Sequence, residues 1–344
     1  MNPISYFSVT DLDRSYFQDR LEKRLPRKIL DAHAHISLPE HTASIPQERI
    51  DSDWALQSGG EMSIENARFF ADSFFPGRDY RFAALPVAVK EADTDGNNRY
   101  IASLIKSGKI DYGFITTRPE AKVENIEKDI RNDGFTGLKP YPDYVSAFKG
   151  AELSIPAFFP WEHCALAERL NKCVVLHLPR AGRFADENNI RELREIAARF
   201  PKLKIVIAHL GRSFNLCYFE KAAEILGDDI HHFWFDTAAV MNPQVHKLAM
   251  QILHPDRILY GLDLPVFLFH GSRRWTETGY YNVCREDLPW NKHIEGKEAE
   301  AKYTFFVYEQ VNNILNTMEE LGKDEAYKQG FFYNNAEKLF SGCV

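Results

Sequence analysis

Two histidines one residue apart, His33 and His35, close the apolar run of KILDAHAHIS at residues 28–37. Side chains alternate across a strand, so both imidazoles leave one face and Ala34 the other. Two neutral imidazoles on one face can grip a single metal ion. Four later apolar runs end in ligand-type or proton-carrying residues: Lys139 in GLKP, His177 in VVLHLP, His209 in IVIAHLG and Asp263 in ILYGLDLP. His177 and His209 interrupt β-branched runs, where a polar ring without a partner is costly in a dry interior; ligation removes that cost. The set points to an assembled metal site. Imidazole and carboxylate without thiolate suit zinc first, with manganese or iron as alternatives. Asp236, in FDTAA, reads as a strand-end aspartate capping the next loop.

Cations and aromatics follow the same run ends. Tyr141 follows Lys139, Arg180 and Arg183 follow His177, Arg212 follows His209, and His270, Arg273, Arg274 and Trp275 lie in the long segment after Asp263. A guanidinium matches a carboxylate bidentately, and a loop tryptophan can cover a ring or sugar face. Together they favour a small anionic substrate: a lactone, amide or aromatic acid bearing a carboxylate. His163, His231, His232, His246 and His254 lie on or beside helices or ahead of a strand and read as structural; His41 and His293 fall in loops with no assigned role.

The elements that must position these groups are visible in the hydrophobic pattern. Eight short apolar segments, at 28–33, 81–87, 111–117, 134–140, 173–178, 204–210, 232–237 and 257–263, alternate with helix-patterned segments beginning at 63, 98, 123, 161, 187, 216, 243 and 301. Ile190, Leu193, Ile196 and Ala197 have the one-sided spacing of a helix lying on a sheet. Eight β-α units in series predict an α/β protein with a (β/α)8 TIM barrel, whose active site lies at the C-terminal ends of the strands. Residues 177, 209, 236 and 263 follow one another at intervals of 32, 27 and 27, each of which returns the chain to the same rim. A doubly wound open sheet is the alternative, but no Gly-x-Gly-x-x-Gly follows the first run. Residues 1–27 are expected to form a short N-terminal helical extension on a barrel domain of 28–344. The least regular stretch, 264–300, is expected to be a functional loop or lid.

Of the 344 residues, 44% are hydrophobic and 26% charged, and the net charge is -7. An acidic balance offers no general attraction for nucleic acid or an anionic membrane, so a small molecule is the expected partner. Five scattered cysteines, an odd number, argue against a disulfide framework and a thiolate zinc site. No run approaches the roughly 18 apolar residues of a membrane span, and a cytoplasmic protein is expected. A homo-oligomer stays open.

In their order and spacing, DAHAH, GLKP, VVLHLP, IVIAHLG, ILYGLDLP and YNNAEKLF, spread over residues 28–340, resemble the motifs of the amidohydrolase superfamily, and within it the amidohydrolase 2 group of metal-dependent hydrolases and decarboxylases. The resemblance implies a (β/α)8 barrel in which His33, His35, His177 and Asp263 hold the metal. Water on zinc has a pKa of about 7 rather than about 16. Asp263 would serve as general base, and His209 would polarise the substrate carbonyl or stabilise the oxyanion. Lys139 matches either the carboxylated lysine that bridges two metals in binuclear members or a substrate contact of mononuclear ones; one ion is favoured over two. The leading expectation is a hydrolase that uses a metal-activated water on a lactone or amide bond. The alternative is a non-oxidative decarboxylase on the same site, and a barrel that binds without catalysis is the third reading.

Overall fold

The structure is a computed structural model that describes residues 4–59, 62–145, 152–277 and 279–343. Eight strands, β1 (Lys28–His35), β2 (Asp79–Leu85), β3 (Tyr112–Thr117), β4 (Gly137–Pro140), β5 (Cys173–Leu176), β6 (Lys204–Ile207), β7 (Trp234–Asp236) and β8 (Ile258–Leu259), pair in sequence order. Every neighbouring pair is parallel. Residues around β8 close the ring on β1: Ala32 N–H donates to the Tyr260 carbonyl, Asp263 N–H to His33 and His35 N–H to Leu264. This is the TIM barrel expected from the pattern.

Helices join the strands because each has a start signal and one apolar stripe. Asp186 accepts from the N–H groups of Asn188 and Asn189 and opens Glu187–Arg199, which buries Ile190, Leu193 and Ile196. Val123–Asp133 stops at Gly134, whose φ of 74° suits a residue without Cβ. The last long helix, Phe306–Glu320, packs its Phe306, Val307, Val311, Ile314 and Leu315 into the core.

Residues 4–27 lie against the barrel. Thr10 and Asp13 form a capping box on the helix Asp11–Tyr16, and Phe7 packs on Phe70 and Phe305 at ring separations of 4.7 and 5.2 Å. Between β1 and the helix Ile64–Phe74 come three short helices, Pro39–Thr42, Gln47–Asp51 and Trp54–Ser58. These helices and the turn between the first two carry Ile45, Ile50 and Leu56 against Val87, Val89 and Ala92 in a small apolar cluster apart from the main core. The 264–300 segment is more regular than expected: β9 (Gly271–Trp275) and β10 (Tyr280–Cys284) pair as an antiparallel hairpin. No helix among the described residues is long and apolar enough to cross a membrane.

Candidate active site

The rim residues sit at or just past strand ends. β1 carries His33 and His35, β4 carries Lys139, and β7 ends in Asp236; His177 follows β5, while His209 and Asp263 lie two and four residues beyond β6 and β8. Three imidazoles are each fixed through Nδ1. His33 Nδ1 lies 2.9 Å from Asp236 Oδ2. His35 Nδ1 donates to the Pro86 carbonyl at 2.8 Å, and His209 Nδ1 to the Ala238 carbonyl at 2.9 Å. Carbonyls only accept, so the proton is on Nδ1 and the lone pair on Nε2, the form in which histidine ligates a metal. The Asp236 carboxylate imposes the same tautomer on His33.

On the cavity side, His33 Nε2 and His35 Nε2 stand 3.6 and 3.5 Å from Asp263 Oδ1. These separations are too long for hydrogen bonds and close to the roughly 3 Å between donors that share one ion at about 2 Å each. His33 Nε2 is buried and has no hydrogen-bond partner. That orphaned basic nitrogen, beside a second imidazole and a carboxylate, fits a divalent cation. A second cluster, His33, His209 and Asp236, is already committed to hydrogen bonds: Asp236 Oδ2 faces His33 Nδ1, and Oδ1 accepts from the N–H groups of His209 at 2.8 Å and Ala238 at 3.1 Å. Asp236 thus caps the next loop, as the sequence suggested, and also positions two histidines, which it did not. His177 lies in the same cavity, its ring 5.4 Å from that of His209 and 4.9 Å from that of Tyr141, but outside both clusters.

Burial dominates the electrostatics. It drives the His33 pKa well below the usual 6.5 and that of His35 to about 4, in both cases assisted by the nearby Lys139 charge, so both rings stay neutral. Burial raises the Asp263 carboxyl against the pull of Lys139, and lowers the Lys139 ammonium against Asp236 and Asp263. Lys139 Nζ is buried with no hydrogen-bond partner, 5.7 Å from the centre of the Tyr141 ring. The backbone is strained at these positions: Asp263 has φ 73° and His209 φ 58°, left-handed values that cost a non-glycine residue about 1 kcal/mol or more. Asp263 is held there by its N–H on the His33 carbonyl and its own carbonyl under the Val266 N–H. The turn thereby carries its carboxylate back over β1.

A cavity of about 500 Å³ opens over the set. Strand-end residues of ligand type facing such a cavity are the active-site geometry of this barrel class. The sequence matches the family model described as Amidohydrolase over residues 30–342. The chain belongs to the amidohydrolase family. That family is metal-dependent, and its members are enzymes, hydrolases or decarboxylases. Among solved structures, the amidohydrolase is similar to 5-carboxyvanillate decarboxylase from Sphingomonas paucimobilis, with 14% identity and a TM-score of 0.56 over 92% of this chain and 99% of that one. It is also similar to a probable 2-pyrone-4,6-dicarboxylic acid hydrolase from Acinetobacter baumannii with citric acid bound, at 13% identity and a TM-score of 0.52 over 91% and 99%. A dihydroxybenzoic acid decarboxylase from Polaromonas with bound manganese and the inhibitor 2-nitroresorcinol matches at 14% identity and a TM-score of 0.54 over 92% and 97%. A comparison with curated proteins finds no matching sequence.

The amidohydrolase cavity separates the residues expected to meet substrate. Tyr141, Arg183, Arg212 and Arg273 line it. Arg180, His270, Arg274 and Trp275 do not, and for three of them the reason is a nearer partner. Arg180 binds Glu192 at 2.7 and 3.0 Å. His270 lies between Asp13 at 2.9 Å and Glu286 at 2.6 Å. Arg274 pairs with Glu295 at 2.8 Å, because neighbours on a strand face opposite ways and Arg273 takes the inward one. Trp275 packs against the core. Sequence reasoning overlooked Arg49, Ile50 and Trp54 on the short helices and Phe214 and Tyr280 elsewhere on the wall. Pro46 before QER and Asp53 before WALQ are helix-start signals that mark the first group.

Proposed function

We propose that this amidohydrolase is a metal-dependent hydrolase that cleaves a lactone or amide bond in a small carboxylate-bearing compound. The observation that supports it most directly is the convergence of His33 Nε2, His35 Nε2 and Asp263 Oδ1 at the floor of the cavity. A divalent metal held by these residues, with His177 as the further candidate ligand, supplies Lewis acidity toward a carbonyl and acidifies a bound water. Zinc suits the nitrogen-rich donor set, and the manganese of the dihydroxybenzoic acid decarboxylase makes that ion the alternative.

Asp263 is placed to take a proton from the attacking water and return it to the leaving group, a role that a carboxyl raised by burial fills well. His209 differs from expectation in one respect. With Nδ1–H committed to Ala238 and burial holding the ring neutral, its Nε2 accepts a hydrogen bond, so it orients the water or receives its proton rather than donating to an oxyanion. Lys139, the buried cation among these groups, is the residue that answers developing negative charge.

Decarboxylation is the second reading, favoured by the fold shared with 5-carboxyvanillate and dihydroxybenzoic acid decarboxylases; there a protonated Asp263 would deliver its proton to the ring carbon as carbon dioxide leaves, with His209 Nε2 accepting a hydrogen bond beside it. The test is a paired panel on metal-loaded protein. Acid release from lactones and amides supports hydrolysis; carbon dioxide release from aromatic acids with no acid release from the first panel overturns it. Protein with no tightly bound transition metal, and no activity on adding zinc or manganese, ends the enzyme reading.

A further inference from the structure

The cavity has two chemically different walls. On one side, Arg273 is 1% exposed: its Nε donates to Asn282 and one terminal nitrogen to the Ala239 carbonyl, while the other, NH2, is buried without a partner. Arg183 likewise has a buried terminal nitrogen, NH1, without a partner. Both guanidinium groups lie over the ring of Phe214, at 5.4 and 5.2 Å. Among the described residues neither makes an ion pair within 4.0 Å, whereas Arg49 across the cavity is matched by Asp143 at 2.8 Å. Arg212 is spent on structure, its NH1 donating to the carbonyls of Leu178, Pro179 and Arg180. Two arginines with a free buried donor each, arranged about one ring, form a carboxylate seat. Phe214 also contacts His209 at a ring separation of 6.3 Å, so the seat is about an aromatic ring away from the metal-side groups.

The other wall is largely apolar, and its one cation, Arg49, has its charge matched by Asp143 at 2.8 Å and Glu91 at 3.8 Å. Ile45, Ile50, Leu56, Val87 and Val89 line it, with Trp54 beside them, and Ile50, Leu56 and Val87 are only partly buried by the protein. Apolar side chains facing a cavity gain by covering apolar ligand surface.

We propose that the substrate is an acid with an apolar arm: a carboxylate that does not react sits between Arg183 and Arg273, and the arm lies along Ile45, Ile50 and Leu56. This deepens the hydrolytic reading, since it assigns the anchored carboxylate and the reacting bond to different places. Binding is measured without turnover, so a failed anchor and a failed hydrolysis are separate results.

The experiment is calorimetric titration of metal-loaded protein with straight-chain carboxylic acids from acetate to octanoate, and with succinate and glutarate. The expected affinity rises roughly threefold to fourfold per added methylene. Arg183→Met and Arg273→Met should each weaken octanoate binding about tenfold or more. Ile50→Asp, with folding checked by its thermal midpoint and by Ile50→Ala as the milder variant, should flatten the dependence on chain length. An affinity indifferent to chain length, short diacids that bind more tightly than octanoate, or octanoate binding unchanged in both arginine variants would overturn the proposal.

Discussion

Asp236 joins two histidines from different strands: one carboxylate oxygen meets His33 Nδ1 at 2.9 Å and the other accepts the His209 backbone N–H at 2.8 Å. Both neighbours are N–H donors and both bonds are buried. Asp236→Asn keeps the volume but leaves one acceptor oxygen for donors that now share two, those of His33 on one side and of His209 and Ala238 on the other, so at least one buried donor loses its partner, at about 1–3 kcal/mol. The orientation of His33 then slackens. Metal affinity, read by competition with a chromophoric chelator, should fall about 10–100-fold, the usual effect of removing an outer partner of a ligating histidine. Unchanged affinity would show that His33 needs no such support.

Metal content separates the two readings of Lys139. The donor atoms that converge, from His33, His35 and Asp263, make one compact set, and the other candidate cluster is occupied by hydrogen bonds. About one ion per chain is therefore expected by mass spectrometry, with activity lost on chelation and regained on adding zinc or manganese. Lys139→Met should keep that one ion, since Nζ has no partner to lose. A native count near two that drops to one or none in the variant would instead make Lys139 a bridging ligand.

The strands and their helices were readable because burial on both faces of a parallel barrel demands short β-branched runs, and the helices over them need an apolar stripe. Site positions were readable for the same reason: His177, His209 and Asp263 interrupt or end such runs. What pattern does not carry is the partner. Arg180 and Arg273 look alike in sequence, yet Glu192 pairs with the first at 2.7 Å while the second makes no ion pair among the described residues. The left-handed turns at His209 and Asp263, which aim their side chains, have no sequence signal because neither residue is glycine. The helices of 39–58 were overlooked because each is only four or five residues long, little more than one turn and too short to repeat the amphipathic pattern.

Gly137, two residues before Lys139, sits opposite Cys173 in the β4–β5 ladder, and a Cβ there would lie 2.0 Å from the Cys173 carbonyl oxygen. Backbone cannot rotate away as a side chain can. Gly137→Ala should cost about 1–3 kcal/mol in denaturant unfolding and shift Lys139 relative to the rim, lowering activity as well. Wild-type stability in that variant would mean that the two strands separate without strain.

His270 lies outside the cavity but ties three parts of the chain together. It sits on β9's leading edge between Asp13 of the N-terminal helix and Glu286 beyond β10, wholly buried. Burial alone would lower its pKa; the bonds to the two carboxylates outweigh that and raise it above 6.5. A raised folded value means that the imidazolium's contribution is full below about 6.5 and is lost as pH climbs through the folded pKa. For Asp13, burial pushes the carboxyl up, but the His270 and Thr10 bonds bring it below 3.8, so its contribution is full above that value and fades only in stronger acid. Between roughly pH 4 and 6.5 the clamp is complete. His270→Ala leaves the buried Asp13 carboxylate without its cation, while Glu286 keeps Arg285 at 3.1 Å; the loss should cost about 3–5 kcal/mol and speed amide exchange in residues 4–27. The gap in urea midpoint between wild type and His270→Ala should be widest near pH 6 and shrink toward pH 9, as the wild type loses the same proton; a gap independent of pH would mean that His270 acts by packing alone.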